Sequence, residues 1–136
     1  MEQVAVEWTR ASKALRAAET LLDVQLPEDA VSRAYYAVLH AARAALFAHE
    51  SVPKTHSGVR RLFGLELVDT GEIEREWGRI LTRTQDRRED ADYGLTTTID
   101  ENLARELFDD AHRFVDRMAA YLKSKGVVVP DAPPSD

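Results

Sequence analysis

Val4, Trp8, Ala11, Leu15, Ala18 and Leu22 recur at alternating four- and three-residue steps. That spacing follows one face of an α-helix and does not fit the two-residue alternation of a half-buried strand. The chain therefore opens with an amphipathic helix of roughly 20 residues whose stripe must be covered by something else. Leu26-Pro27 ends it, because proline lacks a backbone N–H and restricts the residue before it. A second helix is expected from about Glu28 to Glu50, and its pattern differs. Val31, Ala34, Tyr35, Val38, Leu39, Ala41, Ala42, Ala45, Leu46 and Ala48 wrap most of the way round it. A helix apolar on nearly every side is a buried one, central to a bundle or partly at a subunit interface. Its alanines allow neighbouring helices to come close.

Ser51-Val52-Pro53 closes that helix, and the polar turn Lys54-Thr55-His56-Ser57-Gly58 leads into a short helix near Val59 to Val68. Thr70-Gly71 ends it with a glycine suited to a left-handed cap. Ile73, Trp77, Ile80/Leu81, Thr84, Arg87/Arg88 and Ala91 mark a further long helix whose apolar stripe turns to arginine at its end. A loop at Gly94 to Thr97 follows, and then Thr98-Ile99-Asp100-Glu101 matches a capping box. In the last helix Leu103, Leu107, Ala111, Phe114, Met118 and Leu122 face inward, and Gly126 stops it. Four long helices plus one short one, with mostly short loops, predict an all-α, antiparallel up-and-down bundle over residues 1–125. Residues 126–136, ending Pro-Asp-Ala-Pro-Pro-Ser-Asp, are expected to form a disordered tail.

At 136 residues, with 44% hydrophobic and 31% charged, the chain has the size and balance of one globular domain. Charged residues interrupt the first twenty positions, so no signal-peptide core is visible, and no run reaches the ~18 apolar residues of a membrane span. A cytoplasmic protein without membrane association is the expectation. The net charge of −6 argues against non-specific coating of nucleic acid. It leaves room for a local basic cleft starting at Arg60/Arg61 or at Arg83/Arg87/Arg88, although Arg60, Arg61 and Arg83 read equally well as solvated helix-surface cations.

Metal and nucleophile chemistry find little support. A di-metal carboxylate bundle needs two Glu-x-x-His pairs and inward glutamates from the other helices. Only Asp109 and His112 approximate the pair, and the apolar stripe of the first helix carries no inward glutamate. His40, His49, His56 and His112 are scattered, cysteine is absent, and neither a nucleophile elbow nor a glycine-rich phosphate loop appears. No cofactor is expected. What remains is polar chemistry inside apolar helices. Arg33, Tyr36, His40 and Arg43 share one face of the second helix, either as hydrogen-bonded core residues or as the lining of a cleft or dimer seam. Arg88 and Asp92 stand four apart at the end of the fourth helix, a spacing that suits a purely structural ion pair.

Three segments in this order resemble the HEPN-domain family. Ser32-Arg33-Ala34-Tyr35-Tyr36-Ala37, continuing through His40-Ala41-Ala42-Arg43-Ala44, is similar to its signature second helix. Thr55-His56-Ser57-Gly58-Val59 with Leu62-Phe63 resembles the turn that follows in one branch. Arg88-Glu89-Asp90-Ala91-Asp92-Tyr93-Gly94 resembles the Arg-x-x-Ala-Asp-Tyr segment of that branch, which is associated with minimal nucleotidyltransferases. The resemblance implies a homodimeric helical bundle, a small nucleotidyltransferase partner in a toxin–antitoxin-like module, and RNA or nucleotide as a further ligand.

Many family members are metal-independent ribonucleases with an Arg-x4-6-His motif, in which histidine handles the proton of the RNA 2′-hydroxyl and arginine steadies the phosphate. Here the histidine slot after Arg88 holds Tyr93. With reference pKa values of about 10 and about 6.5, only roughly one unassisted tyrosine in a thousand is ionised at neutral pH. Some members also carry a tyrosine that the partner enzyme modifies with nucleotide, in a His-x-Tyr arrangement that Tyr93 does not match. The resemblance therefore implies a binding component without the usual ribonuclease activity. The alternative is an endoribonuclease toxin with Tyr93 in place of the histidine, its candidate catalytic residues being Arg88, Asp92 and Tyr93. Arg33, Tyr36, His40, Arg43, Arg87 and Arg88 are the candidate binding residues.

Overall fold

A computed structural model describes residues 2–94 and 99–129. Helix α1 spans Glu2–Asp23, α2 Pro27–Ala48, α3 His56–Leu62, α4 Arg75–Tyr93 and α5 Glu101–Ser124, with a π-helical turn at Phe63–Val68 between α3 and α4. The expected all-α antiparallel bundle is what forms, with α2 packed against α1, α4 and α5. Ala30, Ala34, Ala37, Ala41, Ala42, Ala44 and Ala45 are all essentially inaccessible, so α2 is enclosed by its neighbours on most sides. The strip that stays partly open carries Arg33, Tyr36, His40 and Arg43.

The helix ends show why the chain turns where it does. After α1, Gln25 adopts a left-handed φ of 62°, and the Leu26 amide donates to the Leu21 carbonyl at 2.9 Å. Pro27 then takes the first turn of α2, where a missing N–H costs nothing, and Glu28 and Asp29 suit the positive end of the helix dipole. This helix stops at Ala48 rather than running to Glu50. Glu50 is itself left-handed at φ 67°, and the Ser51 amide folds back onto the Leu46 carbonyl at 2.8 Å.

The short helix expected over 59–68 is instead two elements. The first begins earlier, at His56, because the Thr55 side chain accepts from the Gly58 amide at 2.9 Å. A Cβ on residue 58 would lie 2.9 Å from Thr55 Oγ1, so this cap is built for glycine. The second is the π-helical turn, where the Asp69 amide donates five residues back to the Gly64 carbonyl at 2.8 Å. That turn sends both Phe63 and Leu67 into the core, with Phe63 5.7 Å from the Phe114 ring of α5.

The start of α4 is tied to α5. Arg117 donates to both carboxylate oxygens of Glu74, at 2.8 and 3.1 Å, and the Trp77 indole donates to the same side chain at 2.7 Å. The cap of α5 is Asp100, whose carboxylate accepts from the Leu103 amide at 2.8 Å. Glu101 is therefore the first helical residue, so the expected capping box is off by two positions; its Thr98 lies outside the described residues. At the other end Gly126 is left-handed and the Val127 amide closes onto the Leu122 carbonyl at 2.9 Å. Val127 and Val129 still pack against the core, and residues 130–136 of the expected tail lie outside the described residues.

Candidate functional site

The polar strip of α2 faces a carboxylate that the stripe pattern of α1 concealed. Glu7 is only 3% exposed, so the first helix does carry an inward glutamate. It sits three residues after Val4 and four before Ala11, inside the buried face, and that register was the available signal. Its Oε2 lies 2.6 Å from His40 Nδ1. Its Oε1 accepts from Arg10 Nη1 at 3.2 Å and pairs with Arg43 Nε at 3.3 Å. One buried charge thus gathers two arginines and an imidazole, which offset the cost of removing it from water. A hydrogen bond on Nδ1 fixes the His40 ring and turns its Nε2 away from Glu7, the arrangement by which carboxylates orient imidazoles.

One turn toward the N-terminus of α2, Tyr36 meets the end of α4. Its hydroxyl accepts from Arg88 Nη2 at 3.0 Å, and the Arg88 guanidinium lies 5.5 Å from the Tyr36 ring centre and 5.6 Å from that of Tyr35. Arg88 Nε is 2.8 Å from Asp92 Oδ2, and the other oxygen of Asp92 accepts from Ser32 Oγ at 2.8 Å. Arg43 Nε and Arg88 Nε are both buried without an aligned acceptor, so their contacts with Glu7 and Asp92 are held by charge rather than by directed hydrogen bonds. Burial pushes the Tyr35 phenol above its ordinary value, against the pull of Arg88.

His56 completes the cluster. From the first turn of α3 its ring stands 6.3 Å from both Tyr35 and Tyr36, while His40 stacks on Tyr36 at 6.4 Å. Burial lowers the His56 pKa, and the positive charge of Arg88, Arg43 and His40 lowers it further. The histidines are therefore not all scattered: His40 and His56 flank one tyrosine, whereas His49 lies near Glu66 and Glu72 and His112 pairs with Asp116 on α5. His56 escapes a reading by helix faces because it reaches the site from a separate short helix.

The other candidates are placed differently. Arg33 is exposed and borders a groove of about 480 Å³ between α1 and α2, shared with Arg10, Lys13, Tyr36 and His40. Arg87 turns toward Asp90, at 3.1 Å, and lines a separate groove between α4 and the α3–π-turn segment. Tyr93 is 70% exposed at the last turn of α4. Among the described residues no group of three or more metal-ligating side chains exists. What the strip presents is a half-open cluster of guanidinium groups, two imidazoles and the Tyr36 phenol, backed by buried Tyr35 and suited to an anionic or aromatic surface.

Comparison with known proteins covers most of the same residues. The family model described as the HEPN domain matches residues 5–121. "Putative toxin MJ0605" of Methanocaldococcus jannaschii is 42% identical over 113 residues, which is 83% of this chain and 84% of that protein. "Putative toxin MJ0142" of the same organism is 34% identical over 119 residues, covering 88% and 81%. A "UPF0332 protein" of Thermotoga maritima is 32% identical over 116 residues, covering 85% and 88%.

Proposed function

This chain belongs to the HEPN-domain family, and from that premise we propose that it is the binding component of a prokaryotic toxin–antitoxin-like module, engaged by a minimal nucleotidyltransferase and without ribonuclease activity of the Arg-x4-6-His kind. The observation that carries this reading is the commitment of Arg88. Its guanidinium lies against Tyr35 and Tyr36, donates to the Tyr36 hydroxyl and pairs with Asp92, so it ties α4 to α2 instead of standing free for a phosphate. The position where the motif needs an imidazole holds the exposed phenol of Tyr93. The names of two relatives, each a "Putative toxin", support the toxin-like half of the reading. The strip around Tyr36 and His40, together with exposed Tyr93, offers the partner a face with both charge and rings.

The test is co-expression of this chain with a minimal nucleotidyltransferase from the same genome, followed by size-exclusion chromatography with light scattering. A stoichiometric complex lost on Arg33→Glu is the expected result. Separate elution of the two proteins at micromolar concentration would overturn the reading.

One observation favours a second reading, a metal-independent endoribonuclease. His40 is oriented by Glu7 in the cluster that holds Arg88 and Tyr36, so an imidazole is at hand for proton transfer although the motif position lacks one. Chelator-resistant RNA cleavage that disappears in His40→Gln is its signature.

A further inference from the structure

Away from the Arg88 cluster, α4 carries a second row of charge. Arg75, Arg79, Arg83 and Arg87 recur every four residues, a step of about 6 Å and a row of about 18 Å along the helix. They border a groove of about 780 Å³ between α4 and the α3–π-turn segment, with Arg60 on the opposite side. The row is unequally satisfied. Arg83 pairs with Asp110 at 3.2 Å and Glu106 at 3.4 Å, Arg87 with Asp90 at 3.1 Å, and Arg60 lies 4.0 Å from Asp86. Arg75 and Arg79 have no ion pair among the described residues and are exposed. Arg75 is the first residue of α4, where the helix dipole disfavours a cation, so an incoming carboxylate there relieves an unfavourable term as well as supplying a partner.

Between these arginines the groove is lined by Val68, Leu81, Thr82 and two glycines, with Asp69 and Asp86 the only carboxylates among its lining residues. Val68 contributes its accessible hydrocarbon, Leu81 lies buried beneath, and Gly64 and Gly78 contribute no side chain. A Cβ at residue 64 would meet nothing within 4 Å, and one at 78 would be in ordinary contact with Val68 at 3.6 Å. The surface is thus shaped for an approaching backbone.

We propose that this groove docks an acidic amphipathic helix of a protein partner, its apolar edge on partly exposed Val68 and the two glycines and its carboxylates on Arg75 and Arg79. The four-residue repeat of the arginines is the repeat at which one face of a partner helix presents glutamates. A nucleic-acid strand fits less well. No aromatic ring lines the groove to stack a base, and the net charge of −6 disfavours a continuous phosphate backbone. The proposal is independent of the role assigned to Arg88.

The test uses the full chain, labelled with ¹⁵N, and a synthetic helical peptide with glutamates four apart beside a leucine stripe. Binding should shift the Gly64 and Gly78 amides. Fluorescence anisotropy should show affinity weakened about tenfold or more by Arg75→Glu with Arg79→Glu, since two attractive contacts become repulsive. Both positions are exposed, and unchanged circular dichroism confirms that the variant is folded. Gly64→Leu supplies a second variant that fills the groove from open space. Peptide shifts elsewhere, no peptide binding, or undiminished affinity in the charge-reversed variant would overturn the proposal. Oligouridylate shifting Gly64 and Gly78 where the peptide does not would also overturn it and make the groove a nucleic-acid site.

Discussion

Replacing Glu7 by glutamine removes one charge and almost no volume, so the result reports on the carboxylate alone. The side chain is 4% exposed, whereas its partners His40 and Arg43 retain 21% and 23% of their side-chain surface and Arg10 retains 57%. Losing one member of a fully buried ion pair costs about 3–5 kcal/mol. Here the abandoned cations regain water by small movements, and the glutamine carbonyl keeps one acceptor. The Arg10 contact, three residues away on the same helix, contributes only a few tenths of a kcal/mol. The His40 and Arg43 contacts join α1 to α2, and each is worth about 1 kcal/mol after these allowances. The expected loss is therefore about 2 kcal/mol, which for a chain of this length lowers Tm by about 7 °C. Thermal unfolding followed by far-ultraviolet circular dichroism at pH 7 measures it. A double-mutant cycle with Arg43→Met should return a coupling of about 1 kcal/mol. A Tm change below about 2 °C, or no coupling with Arg43, would show that Glu7 does not hold α1 and α2 together at the site.

Other parts of the molecule respond to simpler perturbations. Arg117 and the Trp77 indole hold Glu74 down from 4.5 to about 2, so its contribution is present above pH 4.5 and is lost as the pH falls toward 2. Glu74→Gln should flatten the acid limb of Tm against pH in that window. Because the side chain is 56% exposed, the effect should shrink in salt, and an acid limb identical to wild type counts against it. Asp100→Ala removes the carboxylate that caps α5 and should cost about 1 kcal/mol in urea unfolding, with no loss indicating that another group takes over the Leu103 amide. Gly78→Ala should raise stability by about 0.5–1 kcal/mol, because residue 78 is helical and its new Cβ finds an ordinary contact with Val68; a destabilised variant would refute that packing.

Most of the bundle was legible because its signals are local. The stripe of α1, the break at Leu26-Pro27, the all-round apolarity of α2 and the glycine stop at Gly126 each follow from residues within a few positions of one another. The misreadings come from competition between local signals and packing. Two cap-like segments overlap before α5, and Asp100 takes the cap ahead of the expected Thr98-to-Glu101 box. The Phe63–Val68 stretch adopts π-helical bonding that sends both of its large apolar groups inward, and a periodicity of 3.6 does not encode that choice.

The site divides along the same line. The Arg33–Tyr36–His40–Arg43 face and the Arg88–Asp92 pair were readable from spacing, since helix geometry alone places them. Glu7 was hidden because its neighbour Trp8 dominates the apolar pattern, although its register with Val4 and Ala11 put it on the buried side. The approach of His56 to Tyr36, and the turning of Arg87 away from Arg88, depend on how separate elements meet.

In the proposed function Arg88 serves the contact between α2 and α4 rather than a scissile phosphate. Incubating purified protein with a mixed RNA pool in chelator, beside an Arg88→Ala preparation shown to be folded, tests it directly. No cleavage by either protein is the predicted result. Chelator-resistant cleavage by the unaltered chain that Arg88→Ala abolishes would place Arg88 on the phosphate and make this protein a ribonuclease.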